Sequence, residues 1–141
     1  MRIKILTTFV AATVLAASSV CANAAELPES VQIISEADAD LLLRVAMGEA
    51  GNQGVDGMRY VISTVLNRVD DSRFPDTVEE VCTQRYQFYT GYTGSISDDC
   101  REALQQELQE QINREVLWFS SSGWPAYGTR ALQYKDHYFN K

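Results

Sequence analysis

The residue whose type and spacing most invite chemistry is Glu49. Leu42, Val45, Ala46 and Glu49 fall at i, i+3, i+4 and i+7, one face of a helix, and three of the four are apolar. The stretch from Leu41 to Gly51 therefore places a carboxylate on a core-facing stripe, in the last turn before Ala50-Gly51. The negative end of the helix dipole and partial burial both favour the protonated carboxyl. That is the condition a general acid needs near neutral pH. The structural alternative is that Glu49 turns to the rim and pairs with Arg44, Arg59 or Arg68.

The other reactive side chains support narrower readings. His137 is the single histidine. Zinc sites take three or four His, Cys or carboxylate ligands, so no metal and no cofactor are expected. A Ser-His-Asp arrangement using His137 lacks the Gly-x-Ser-x-Gly elbow that usually presents the nucleophile, and phosphate-cradling glycine loops are absent. A lone histidine most often serves as a structural hydrogen-bonder. Cys82 and Cys100 are the pair left once Cys21 is set aside with the N-terminal segment. In an exported chain such a pair reads as a disulfide, contributing on the order of 3 kcal/mol. A Cys/His nucleophile would need a free thiol.

Export follows from residues 1–25. Arg2 and Lys4 precede an apolar run from Ile5 to Ala17, and Ala22-Asn23-Ala24 offers a small-x-small cleavage site. The apolar run is shorter than the roughly 20 residues of a spanning helix, and Ser19-Val20 before Cys21 do not form a lipobox. The protein is therefore expected in the periplasm, cell wall or medium, without a stable membrane anchor. Removing Arg2 and Lys4 from twelve basic residues leaves ten against nineteen acidic ones, about nine negative charges. That balance excludes nucleic acid as a partner and electrostatic adhesion to anionic lipid. Small uncharged or cationic ligands stay open.

Residues 26–35 form a flexible lead-in and 36–141 one domain with a single core. Ser35-Glu36-Ala37-Asp38 caps a first helix over 36–50. Gly51-Asn52-Gln53-Gly54 breaks it. Val55, Met58, Ile62, Val65, Leu66 and Val69 then mark a central buried helix over 55–69, with Asn67 and Arg68 at its exit. Thr77-Val78-Glu79-Glu80 opens a short helix to about Cys82. A long helix over 98–115 turns Leu104, Leu108, Ile112 and Val116 inward and leaves Gln105, Glu107 and Glu110 on a solvated surface. Two short strands, around Leu117-Trp118-Phe119 and His137-Tyr138-Phe139, pair across a loop containing Gly123, Pro125 and Gly128. Between the helices, 84–97 has no helical period and gathers Tyr86, Phe88, Tyr89 and Tyr92. Those rings either stack on sugar faces or lid the core.

These pieces carry a family resemblance. The run LLLRVAMGEAGNQGVDGMRYVISTVLNRVDDSRFPDTVEEVC resembles the opening of the SleB/CwlJ-type cell wall hydrolases, the spore-cortex-lytic family. The shared elements are Glu49-Ala50, Leu66-Asn67-Arg68-Val69, Phe74-Pro75-Asp76-Thr77 and Gln87-Phe88. Trp118-Phe119 with His137-Tyr138-Phe139 is similar to the family's closing elements. The likeness spans about 41–139. It departs at Gln53, where many relatives have a second Glu, and at Asp136, where the family has glycine.

The resemblance implies a mainly α, α+β, lysozyme-like single domain with a small C-terminal β-hairpin. It also implies cleavage of peptidoglycan glycan strands between N-acetylmuramic acid and N-acetylglucosamine, with Glu49 as catalytic acid. Tyr86, Gln87, Phe88 and Tyr92 are expected to line the sugar groove, and His137 or Asn67 to orient the acid or the substrate. In this reading 84–97 and 120–136 wall one cleft with Glu49 at its floor. One good carboxylate favours a lytic transglycosylase acting as a monomer. The competing class is a non-catalytic peptidoglycan-binding or lysozyme-inhibitor module, which would keep the groove but need no proton on Glu49.

Overall fold

Ser35 opens the first helix, α1 (Glu36–Ala50), by accepting the Asp38 N–H at 3.0 Å on its hydroxyl. Glu36 and Asp38 in the first turn complement the positive end of the dipole. The computed structural model describes residues 34–141, so the expected export signal over 1–25 and all but the end of the lead-in lie outside the described residues. Leu42, Leu43, Val45, Ala46 and Ala50 bury the inner face of α1. At Gly54 the backbone takes φ +78°, a left-handed conformation that favours glycine, and reverses the chain into α2 (Gly54–Asp70).

Helix α2 is the axis of the domain. From Met58 to Arg68 most of its side chains are buried, polar Ser63, Thr64 and Asn67 included. It packs against α1, against α3 (Val78–Thr83), against α4 (Asp98–Gln109) and against the first strand. Thr77 and Ser97 cap α3 and α4, their hydroxyls accepting the N–H groups of Glu80 at 3.2 Å and Cys100 at 3.1 Å.

Three strands rather than two follow: β1 (Trp118–Ser120), β2 (Arg130–Tyr134) and β3 (His137–Asn140). All pairings are antiparallel in the order β1-β3-β2, with Phe119 opposite Phe139 and Tyr134 opposite His137. The expected pairing of the two aromatic runs is the β1–β3 ladder. The additional strand, β2, is a mostly exposed edge with a register irregularity between Arg130 and Leu132, so it lacks the clean alternation that marks a strand in sequence. Central β3 turns His137 and Phe139 inward. Asn140 ties down the preceding loop, its amide donating to the carbonyls of Pro125 at 3.0 Å and Tyr127 at 2.7 Å. The protein is thus mainly α, α+β, with a small C-terminal sheet.

Two other sequence expectations are corrected. Helix α4 stops at Gln109 instead of reaching 115. Arg59 donates to the carbonyl of Glu110 at 2.8 Å, and the Glu107 carboxylate accepts the Ile112 N–H at 3.1 Å. These side-chain bonds take the backbone groups that a longer helix would use. Asn113 then accepts the N–H groups of Glu115 and Val116 in a local turn. Glu107 itself is fully buried, not part of a solvated surface.

Cys82 and Cys100 are both free thiols, not the expected disulfide. Each sits on a different short helix, and α3 and α4 lean on α1 and α2 rather than on one another. The Cys100 thiol meets the Leu43 carbonyl at 3.5 Å. Burial pushes Cys82 up to about 12 and Cys100 up to about 11, so thiolate is scarce at neutral pH. In a chain beginning at residue 26, a thiol reagent should label neither cysteine in the native protein and both after denaturation. Mass spectrometry under non-reducing conditions checks this, and a product lighter by two hydrogens and unlabelled would contradict it.

Candidate active site

Glu49 reaches the surface of the last turn of α1 half-buried, and it pairs with none of the three arginines available to it. Arg44 binds Asp40 at 2.8 Å and the Tyr92 carbonyl at 3.2 Å. Arg59 binds Glu107 at 3.2 Å. Arg68 is committed to the Leu117 carbonyl and to Gln87. Glu49 instead accepts the backbone N–H of Tyr89 on Oε1 at 2.5 Å, and among the described residues no donor engages Oε2. One oxygen is anchored and the other faces outward.

It faces an open cleft of about 840 Å³, within the range of small-molecule sites. The end of α1 and the turn after it supply Glu49, Asn52 and Gln53. The 84–97 segment supplies Gln87, β1 and its continuation supply Phe119, Ser120 and Ser121, and the β2–β3 turn supplies Asp136 and His137. Gly48 is needed beside the acid: a Cβ there would lie 2.6 Å from the Tyr89 ring, the residue whose N–H holds Glu49.

His137 is buried with its ring edge against Phe119 at 5.5 Å between centroids. Its Nδ1 has no hydrogen-bond partner. Burial lowers its pKa, against the opposing pull of Glu49 and Asp136, so the imidazole is neutral at neutral pH.

Gln53 and Asp136, the two positions that depart from the family resemblance, prove to be partners. The Gln53 amide donates to the Asp136 carboxylate at 3.2 Å, and the Asp136 N–H donates back to Gln53 Oε1 at 3.4 Å. Lys135 Nζ donates to the Gln53 carbonyl at 2.5 Å. These bonds dock the β-turn onto the start of α2 and set one rim of the cleft.

Of the residues expected to serve the site, Glu49, Gln87 and His137 converge on the cleft and the others do not. Asn67 is buried elsewhere, its amide donating to the carbonyls of Asn113 at 3.0 Å and Val116 at 2.8 Å. It clamps the segment leading into β1. Phe88 packs on the core against Phe119 and beneath the Arg68 guanidinium. Tyr92 donates its hydroxyl to the Ser95 carbonyl, and Tyr86 is 86% exposed with its ring under Arg85. Neither Tyr86 nor Tyr92 lines the cleft. Sequence reasoning named 120–136 as a cleft wall without singling out Ser120, Ser121 or Asp136 as its lining residues, and it could not have found the Tyr89 N–H, because a backbone donor leaves no trace in residue type.

Among the described residues no three His, Cys, Asp or Glu side chains gather at metal-binding distance, and no helix is long and apolar enough to cross a membrane. The family model described as Cell Wall Hydrolase matches residues 52–140; its match opens just after Glu49. A spore cortex-lytic enzyme from Oceanobacillus iheyensis is 27% identical over 117 residues, covering 76% of this chain and 42% of that protein. The chain thus spans less than half the length of that relative. No solved structure matches significantly.

Proposed function

The chain belongs to the cell wall hydrolase family, and from that premise we propose that it is an exported, monomeric enzyme cutting the glycan strands of peptidoglycan between N-acetylmuramic acid and N-acetylglucosamine, with Glu49 as the catalytic acid. The observation that carries the reading is the state of Glu49. It is a half-buried carboxylate at the cleft, paired with no cation among the described residues, with one oxygen held by a backbone N–H and the other open to a ligand.

The chemistry needs no cofactor. Protonated Glu49 donates its proton to the glycosidic oxygen as the bond to the muramic acid C1 breaks. The resulting carboxylate takes the proton of the C6 hydroxyl, whose oxygen closes on C1 to form a 1,6-anhydro ring. Proton and electron pairs balance, and Glu49 returns to its starting state. Neutral His137 and the hydroxyls of Ser120 and Ser121 line the same cleft, where in this reading they hydrogen-bond the sugar.

A second reading has one specific observation behind it. Asp136 brings another carboxylate to the cleft, and a carboxylate pair is what glycosidases use to activate water. The two readings give different products. Digestion of purified peptidoglycan followed by mass spectrometry of the fragments should show anhydro-muramic acid ends, lighter by one water than reducing ends. Reducing ends alone would move the assignment to a hydrolytic muramidase, and release of peptides without any glycan cleavage would overturn both.

A further inference from the structure

Arg68 is a buried cation with no carboxylate partner among the described residues. It is 3% exposed, and its guanidinium lies 4.9 Å from the Phe74 ring and 5.0 Å from the Phe88 ring. Burial brings its pKa down to about 10, which leaves it charged at neutral pH. A buried charge without a counter-ion is costly and is tolerated only when hydrogen bonds satisfy it. Arg68 has two such bonds: Nε donates to the Leu117 carbonyl at 2.7 Å and Nη1 donates to Gln87 Oε1 at 2.9 Å. One ties the guanidinium to the start of β1. The other reaches a residue of the cleft wall.

That second bond decides the polarity of Gln87. A guanidinium has donors and no acceptor, so only the carbonyl oxygen of the Gln87 amide can face it. The amide nitrogen must then point away from Arg68, and among the described residues it has no acceptor. The backbone N–H of Gln87 is fixed as well, donating to the Gln84 carbonyl at 3.1 Å. The cleft also holds the carboxylates of Glu49 and Asp136, hydroxyls that work either way, and the Asn52 side chain, whose oxygen accepts from Gln53. Sugar hydroxyls can satisfy the carboxylates by donating. Gln87 is exposed, so water serves the oriented NH₂ group when no ligand is bound; the acetamido carbonyl is the acceptor that an N-acetylated sugar offers it and a de-N-acetylated one lacks.

We propose that Arg68 is a positioning residue that locks Gln87 as a hydrogen-bond donor, and that Gln87 selects N-acetylated glycan by binding an acetamido carbonyl. This rests on the glycan reading of the cleft. Gln87→Glu is the sharp test, because it keeps size and the link to Arg68, now as an ion pair, and changes only the cleft-facing atom from donor to acceptor.

Affinity is measured by calorimetry for peptide-free peptidoglycan glycan chains and for the same chains after chemical de-N-acetylation, beside cleavage rates on both. Expected is a loss of about tenfold or more in affinity and a raised KM on the N-acetylated chains with kcat little changed, the size of one hydrogen bond left unmade. Melting temperature should not fall, and on de-N-acetylated chains the variant should match or exceed the wild type. Arg68→Met should show the same loss of selectivity, and adding Gln87→Ala to it should cost nothing more. Equal losses on both glycans, or none on either, would overturn the proposal while leaving glycan cleavage intact. Selective weakening of binding in a protein that cleaves no glycan would uphold the proposal and sink the enzymatic reading. Failure of the wild type to bind either glycan would sink both.

Discussion

Glu49→Gln should abolish glycan cleavage while leaving the fold and glycan binding in place. Gln is nearly the same size, and its side-chain carbonyl can still accept the Tyr89 N–H that Glu49 Oε1 accepts at 2.5 Å. Packing at the end of α1 is therefore preserved, and so is the position of the 84–97 segment beside it. What is lost is the transferable proton. General acid help is typically worth 10²–10⁴-fold, and the loss should exceed that range if the same group must also act as base. A zymogram with peptidoglycan in the gel, wild type beside variant, checks the activity, and circular dichroism checks the fold. Clearing by Glu49→Gln at the wild-type rate would end the catalytic assignment of Glu49 and move it to another cleft group, Asp136 first, whereas no clearing by the wild type would favour a glycan-binding module. Because the family match begins at residue 52, this experiment is the direct test of a residue that the match does not include.

Glu107→Ala should be the most damaging single change to stability. The carboxylate is fully buried between α2 and α4. It accepts the Ser63 hydroxyl, the Ile112 N–H at 3.1 Å and the Arg59 Nε at 3.2 Å. Removing it leaves a cavity and strands three donors, one of them cationic and mostly buried. Breaking a buried pair by deleting one partner costs about 3–5 kcal/mol. A domain of this size has a total stability of roughly 5–15 kcal/mol, and the melting temperature should drop on the order of 15 °C. Glu107→Gln, which keeps volume and one acceptor, should cost distinctly less. A melting curve for Glu107→Ala superposable on wild type would show that the network contributes nothing.

The same residue has a pH signature. Burial raises the Glu107 carboxyl above its ordinary value, outweighing the opposing effect of Ser63, Ile112 and Arg59. Its contribution is therefore fully present below the unfolded pKa and is lost as pH rises through the folded one. His137, lowered by burial, acts the other way: its contribution is present above the unfolded pKa and is lost as pH falls through the folded value. Glu107→Gln should remove the first trend and leave the second.

The sequence by itself determined what depends on neighbours within a turn or two. Helices α1, α2 and α3 follow from apolar residues at spacings of three and four and from caps at Ser35 and Thr77, all interactions between residues no more than a few positions apart. The carboxylate on the inner stripe at 49 was legible for the same reason. The mainly α, α+β class followed from those elements and from the aromatic runs that became β1 and β3.

Only the tertiary structure decided which way the remaining side chains spend their hydrogen bonds. Glu107 reads as surface because its neighbours Gln105, Gln106 and Glu110 are polar. It is buried because Ser63 and Arg59, more than forty residues earlier, supply donors there. Asn67 and Phe88, legible as site residues, went to a backbone clamp and to the core. The cysteines, legible as a pair by count, sit on helices that each pack on α1 and α2 rather than on one another. The donor that holds Glu49 is a main-chain N–H at Tyr89, and the orientation of Gln87 is set by an arginine nineteen residues before it. Such contacts arise from where the chain returns in space, and residue type and spacing do not encode that directly.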